Sequence, residues 1–201
     1  MKNYKIYKVF PSPVFHYEIE DYQKLNIELK NYILELKKNN KEGINKSNQG
    51  GWHSPNFDLQ NDALVKQFAS IFKTYVKDAV EEIGWDYDSD RTIIEGMWSI
   101  INQKESFNIQ HNHPNAFLSS AYYVQFPKNS GSIKFFDPRE QKNIRYPKIK
   151  KFTEMSAPIV EINPKEGDLL IFPAYLYHAV NKNLAEEDRI IVSFNVDIKY
   201  K

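Results

Sequence analysis

Cysteine is missing from all 201 residues, which excludes disulfides, iron–sulfur clusters, thiolate zinc sites and cysteine nucleophiles. Any metal must then rest on His, Asp, Glu or backbone oxygens, a donor set suited to iron, manganese or zinc. A surplus of either charge is missing as well: 27 basic and 26 acidic side chains leave a formal net charge of +1 at pH 7. Bulk electrostatic binding to nucleic acid or to an anionic membrane is therefore not expected. Long apolar runs are absent. The stretches at 169–173 and 190–192 are far too short to cross a bilayer. The start, Met1-Lys2-Asn3-Tyr4-Lys5-Ile6, has no signal-like apolar core. The expectation is a soluble, cytoplasmic protein with no membrane partner.

What is present is a globular composition, 41% hydrophobic and 26% charged. A chain of this size buries roughly 70% of the surface it exposes when unfolded, enough for one substantial core. Neither a repeat nor a low-complexity linker divides it, so residues 1–201 are expected to form a single domain. The 14% aromatic content, thirteen Tyr and thirteen Phe, suits a chain rich in strands.

The first part, about 1–90, reads as helical. An extended piece at 7–10 stops at Pro11 and Pro13. Beyond Asp21, a candidate cap, Leu25, Leu29, Tyr32, Ile33 and Leu36 fall at helical spacing, and Lys37-Lys38 suits the C-terminal end of the dipole. A polar loop with Gly43, Gly50 and Gly51 follows at 39–51; loops this long are often functional. The second helix is the clearest element. Leu64, Phe68, Ile71, Phe72, Tyr75, Val76, Ala79, Val80 and Ile83 make one apolar stripe that ends near Gly84.

From about 91 to 201 the pattern changes to short segments between turn residues. Strands are expected near 92–102, 108–112, 117–126, 131–136, 157–162, 168–172, 176–181 and 189–198. Eight short strands at such intervals point to a double-stranded β-helix, that is, a jelly-roll, cupin-like barrel. The two helices would pack on its outer sheet, giving a mainly β fold with flanking helices.

Five histidines occur, and three sit where a jelly roll can gather them. His111 and His113 are two apart, so on a strand both point to one face. His178 follows the apolar run Leu169-Leu170-Ile171-Phe172-Pro173, and distant strands of a jelly roll lie side by side. Imidazole suits iron, zinc and copper. His16 reads as structural, and His53, beside the glycine-rich loop, has no partner at suggestive spacing.

These residues and their surroundings resemble the iron(II)- and 2-oxoglutarate-dependent oxygenases, in particular the group of 2OG-Fe(II) oxygenases found in bacteria and their phages. The stretch His111-Asn112-His113-Pro114-Asn115, with Ala121-Tyr122-Tyr123-Val124 and Ser130-Gly131-Ser132-Ile133 after it, is similar to the superfamily's first metal strand and its successor. Gly167-Asp168-Leu169-Leu170-Ile171-Phe172-Pro173 before His178, followed by Arg189 and Ser193, resembles its second half-site. Ser47-Asn48-Gln49-Gly50-Gly51-Trp52-His53-Ser54 is similar to an N-terminal signature of the group. The resemblance implies Fe(II), 2-oxoglutarate and dioxygen as cofactors, and His111, His113 and His178 as metal ligands and catalytic residues. It implies that Arg189, eleven residues beyond His178, grips the distal carboxylate of 2-oxoglutarate, a task suited to a planar guanidinium. Ser193, on the same strand face, and Tyr123 are implied as further contacts.

The sequence departs from the superfamily at one ligand. The usual triad is His-x-Asp/Glu with a distant His, and His113 stands where the carboxylate belongs. Either three histidines hold the metal, or a carboxylate comes from elsewhere, with Asp137 as the candidate. Asn115, Tyr122, Arg139, Trp98 and Asn195 are further candidates for the pocket wall, and the 39–51 loop and the 138–156 segment are candidate lids.

The reaction implied is hydroxylation of a C–H bond in a small-molecule or peptidyl substrate, with release of succinate and CO2. Two alternatives stay open. One is a three-histidine metal enzyme without 2-oxoglutarate, as a zinc hydrolase or cupin-type dioxygenase; the other is a non-catalytic jelly-roll binding module. Lys148, Lys150 and Lys151 read as a solvated turn rather than a nucleic-acid patch. A homodimer through an open strand edge is compatible with the sequence.

Overall fold

The apolar stripe of the second helix forms α2 (Ala63–Ile83), with Val65, Phe68, Phe72, Val76, Ala79 and Val80 buried. These are features of a computed structural model that describes residues 3–139, 145 and 147–199. Asp62 caps the helix. Its Oδ1 accepts from the backbone N–H of Leu64 at 2.9 Å and of Val65 at 3.2 Å, satisfying two donors that have no partner inside the helix. Gly84 ends it in the left-handed conformation, at φ 85°. The first helix, α1 (Tyr22–Asn39), buries Leu25, Leu29 and Ile33 and carries Lys37 and Lys38 in its last turn. Asp21 precedes it but does not cap it: at φ 50° its side chain makes no cap hydrogen bond.

The extended piece at 7–10 carries no strand. The first strand, β1 (Phe15–Glu18), begins only after Pro13, because proline has no N–H to give a ladder. Two strands of two residues each, β2 (Asn48–Gln49) and β3 (Trp52–His53), lie between the helices. The later strands are β4 (Thr92–Asn102), β5 (Phe107–His111), β6 (Leu118–Gln125), β7 (Ile133–Phe136), β8 (Ile159–Ile162), β9 (Asp168–Pro173), β10 (His178–Val180) and β11 (Arg189–Ile198). Each overlaps an expected strand. Part of the 138–156 segment, residues 140–144 and 146, lies outside the described residues.

The strands form two antiparallel sheets, ordered β1-β9-β6-β11-β4-β3 and β2-β5-β10-β7-β8. This is the jelly-roll arrangement, although the two sheets do not close into one continuous barrel. Alternation along the strands builds two cores. Tyr122, Leu169, Ile171, Val192 and Phe194 pack with the helices on the outer face of the six-stranded sheet. Tyr123, Leu170, Phe172 and Ile191 point the other way and pack with Ile133, Phe135 and Val180 of the five-stranded sheet. Consecutive residues of one strand thus serve different layers. No described helix is long and apolar enough to cross a membrane.

Candidate active site

The space between the sheets opens into a cavity of about 760 Å³. Strand pairing brings the histidines to it. β10 runs antiparallel to β5 with His178 opposite His111, and the backbone N–H of His113, just past β5, donates to the Ala174 carbonyl at 2.9 Å. One ring nitrogen from each of His111, His113 and His178 lies within 4.8 Å of the others. That spacing lets three imidazoles face one ion.

Two of the rings have their tautomer set by the backbone. His111 Nδ1 donates to the Ile109 carbonyl at 2.7 Å, and His178 Nδ1 donates to the Leu176 carbonyl at 3.0 Å. Each therefore leaves Nε2 as a lone-pair donor. His113 makes no such bond among the described residues. It is stacked between His178, 5.2 Å away, and Trp98, 5.6 Å away.

Burial pushes the His178 imidazole down to about 3, with His111 adding to the effect. Burial and the same neighbour bring His113 down to about 4, and burial also lowers His111. At neutral pH all three are uncharged, the state in which imidazole binds a metal. Asp137 is not a member of this group; its carboxylate takes Arg139 Nε at 2.8 Å and Nη2 at 2.7 Å.

Arg189 opens β11 and is completely buried. Its Nη1 donates to the backbone carbonyls of Ser130, Gly131 (3.2 Å) and Asn181 (3.1 Å). A Cβ on Gly131 would stand 2.5 Å from the Asn181 oxygen and 2.9 Å from Nη1, at φ 92°, so only glycine fits this cradle. Nε and Nη2 are buried with no hydrogen-bond partner among the described residues. Burial without a facing carboxylate pushes this guanidinium down to about 10, offset in part by Tyr123. Unpaired N–H groups at such depth are costly unless something fills the site.

Residues Arg189, Ile191, Ser193 and Asn195, alternate positions of one strand, all line the cavity, as does Tyr123. Burial raises the Tyr123 phenol. Trp98 and Asn195 also stand in the wall, whereas Asn115, Tyr122 and Arg139 do not. Tyr122 faces the helices, where its hydroxyl donates to Asn26 Oδ1 at 2.5 Å. His16 lies elsewhere, with Nε2 2.8 Å from the buried Asp168 carboxylate. The 39–51 loop contributes Ile44, Lys46 and Ser47 to the wall. His53 lines it too, stacked on Trp98 at 6.1 Å with its Nδ1 donating to the Ser54 carbonyl at 2.7 Å.

Among solved structures, the chain is similar to a prolyl-4-hydroxylase of Pseudomonas putida (9% identity, 93% of each chain, TM-score 0.67). It is also similar to the viral collagen prolyl hydroxylase of Paramecium Bursaria Chlorella virus-1 in its 2OG complex (11% identity, 92% of this chain and 96% of that one, TM-score 0.59). A third similar structure is HygX from Streptomyces hygroscopicus with nickel, 2-oxoglutarate and hygromycin B bound (11% identity, 94% and 84%, TM-score 0.60). At these identities the likeness is one of fold. No curated protein matches the sequence. Residues 96–195, which carry the three histidines, Tyr123, Arg189 and Ser193, match the model of the family described as "Putative 2OG-Fe(II) oxygenase", whose name carries both cofactors, iron(II) and 2-oxoglutarate.

Proposed function

We propose that this oxygenase is a hydroxylase that converts a C–H bond of a small-molecule or peptidyl substrate to C–OH. His111, His113 and His178 would hold the iron, and Arg189, Ser193 and Tyr123 would seat the distal carboxylate of 2-oxoglutarate. When bound, iron with 2-oxoglutarate and dioxygen supplies the oxidising power, one oxygen atom going to the substrate and the other to succinate as CO2 leaves.

The observation that carries this reading is the buried guanidinium. Two N–H-bearing nitrogens of Arg189 have no hydrogen-bond partner among the described residues, and the residue lines the same cavity as the three imidazoles. A dicarboxylic acid fits that arrangement: one end answers the unpaired donors in planar, bidentate fashion, while the other reaches the ligand cluster. The chain's own tasks are positional. Backbone carbonyls hold two imidazoles, the Gly131 cradle aims the guanidinium, and Phe172, Ile191 and Ile133 exclude water between them.

The test is succinate formation from 2-oxoglutarate with ferrous iron, alongside calorimetry of 2-oxoglutarate binding to zinc-loaded protein. Wild type is expected to bind the keto acid and release succinate. Arg189→Met should lose 2-oxoglutarate binding while still taking up metal, and His178→Ala should lose the metal. Zinc uptake with no 2-oxoglutarate binding in the wild type would overturn the proposal in favour of a three-histidine enzyme of another kind.

A further inference from the structure

The cavity is charged on one side only. Among its described lining residues, Lys46 and Arg189 are the cations, and there is no aspartate or glutamate. The ligand cluster adds no carboxylate to it, being made of three imidazoles. With a divalent ion and a doubly charged 2-oxoglutarate in place, those two charges cancel, and the positive charges of Arg189 and Lys46 remain. A family member with a carboxylate at the His113 position would carry one positive charge fewer.

Arg189 lies deep and is engaged by backbone carbonyls. Lys46 is exposed, so it stands at the rim, and it makes no ion pair among the described residues. Beside it, the buried Ser47 hydroxyl accepts from Asn108 Nδ2 at 3.0 Å, which leaves its own hydrogen to donate into the cavity it lines. His53 lines the same cavity, and burial first, then Lys46 and His111, hold its imidazole below the ordinary range. Trp98, Ile100 and Ile109 add apolar surface to the same wall.

Resting on the oxygenase reading above, we propose that the primary substrate is an anion. Its carboxylate or phosphate sits on Lys46 and the Ser47 hydroxyl, and its apolar body lies along Trp98 toward the three imidazoles. A cationic substrate would meet two like charges and no counter-charge among the described lining residues, which is an effective means of rejection.

Isosteric probes decide the matter: benzoate, phenyl phosphate, benzamide and benzylammonium, titrated into zinc-loaded protein saturated with 2-oxoglutarate. At least one of the two anions should bind about tenfold tighter than benzamide, with benzylammonium weakest. The order of the two anions tells carboxylate from phosphate. Lys46→Gln should remove most of that preference, as should raised salt, because the rim charge is solvent-exposed. The 2-oxoglutarate titration should not change in Lys46→Gln. Equal binding of neutral and anionic probes, no binding of any, or a preference that survives Lys46→Gln would each overturn the inference. Loss of 2-oxoglutarate binding in the wild type is a separate result. It overturns the oxygenase reading, and the probe series repeated without the keto acid still decides the charge preference.

Discussion

His113 is held differently from its two neighbours. The backbone fixes His111 and His178 through their Nδ1 atoms, but His113 depends on ring contacts with Trp98 and His178. It is also the residue at the position where the superfamily's pattern has a carboxylate. A ring kept in place by stacking keeps its aim only while the stack is intact. Trp98→Leu is therefore expected to weaken zinc affinity by about tenfold, within the usual range for residues that orient a ligand. Asp62→Ala serves as the comparison. It removes the α2 cap at a cost of about 1 kcal/mol and should leave zinc affinity unchanged, so equal losses in both variants would show a general effect of stability.

At the scale of elements, the short strands β2 and β3 matter more than their length suggests. Their segment brings Ser47 and His53 to the cavity, with β2 paired to β5 of one sheet and β3 to β4 of the other, where Trp52 stands opposite Ile101. Gly51 permits this approach: at φ 68°, a Cβ would stand 2.4 Å from the Ile101 carbonyl oxygen. Because that obstacle is backbone, Gly51→Ala should destabilise the protein by about 2 kcal/mol, read as a lower denaturant midpoint. These strands were hard to read in the sequence because two residues show no periodicity. β4, β6, β9 and β11 were legible because alternation and turn residues run over six to eleven positions. Sequence placed both Tyr122 and Tyr123 near the pocket, although neighbours on one strand face opposite layers and only Tyr123 turns inward. The two-residue spacing of His111 and His113 was visible, and the likeness to a known family linked them to His178 and Arg189. Trp98 entered only as one of several wall candidates, and neither Lys46 nor the alignment of His53 was foreseen. These residues reach the cavity from separate segments, with no spacing to connect them.

For the whole molecule, the site is coupled to folding through protons and metal alike. The folded values of about 4 for His113 and about 3 for His178 lie below the ordinary 6.5. Above about 6.5 both the folded and the unfolded chain hold these rings neutral, and pH has no effect through them. As pH falls below that value the unfolded chain takes up protons that the folded one refuses, so stability must decline until the folded values are reached. His111 is lowered by burial as well and acts in the same direction. Metal-free protein is therefore expected to melt at a lower temperature at pH 5 than at pH 7, with most of the loss below about 6.5. If the assembled trio holds zinc as proposed, the metal should raise the melting temperature at pH 7 in proportion to the logarithm of its excess over Kd. The increment should shrink at pH 5, where protons compete with the metal for the rings freed on unfolding and for any ring that opens. His178→Ala should abolish the zinc increment and also flatten the acid decline, because the same ring carries both effects. A variant that lost one while retaining the other in full would show that folding and metal binding do not meet at this residue.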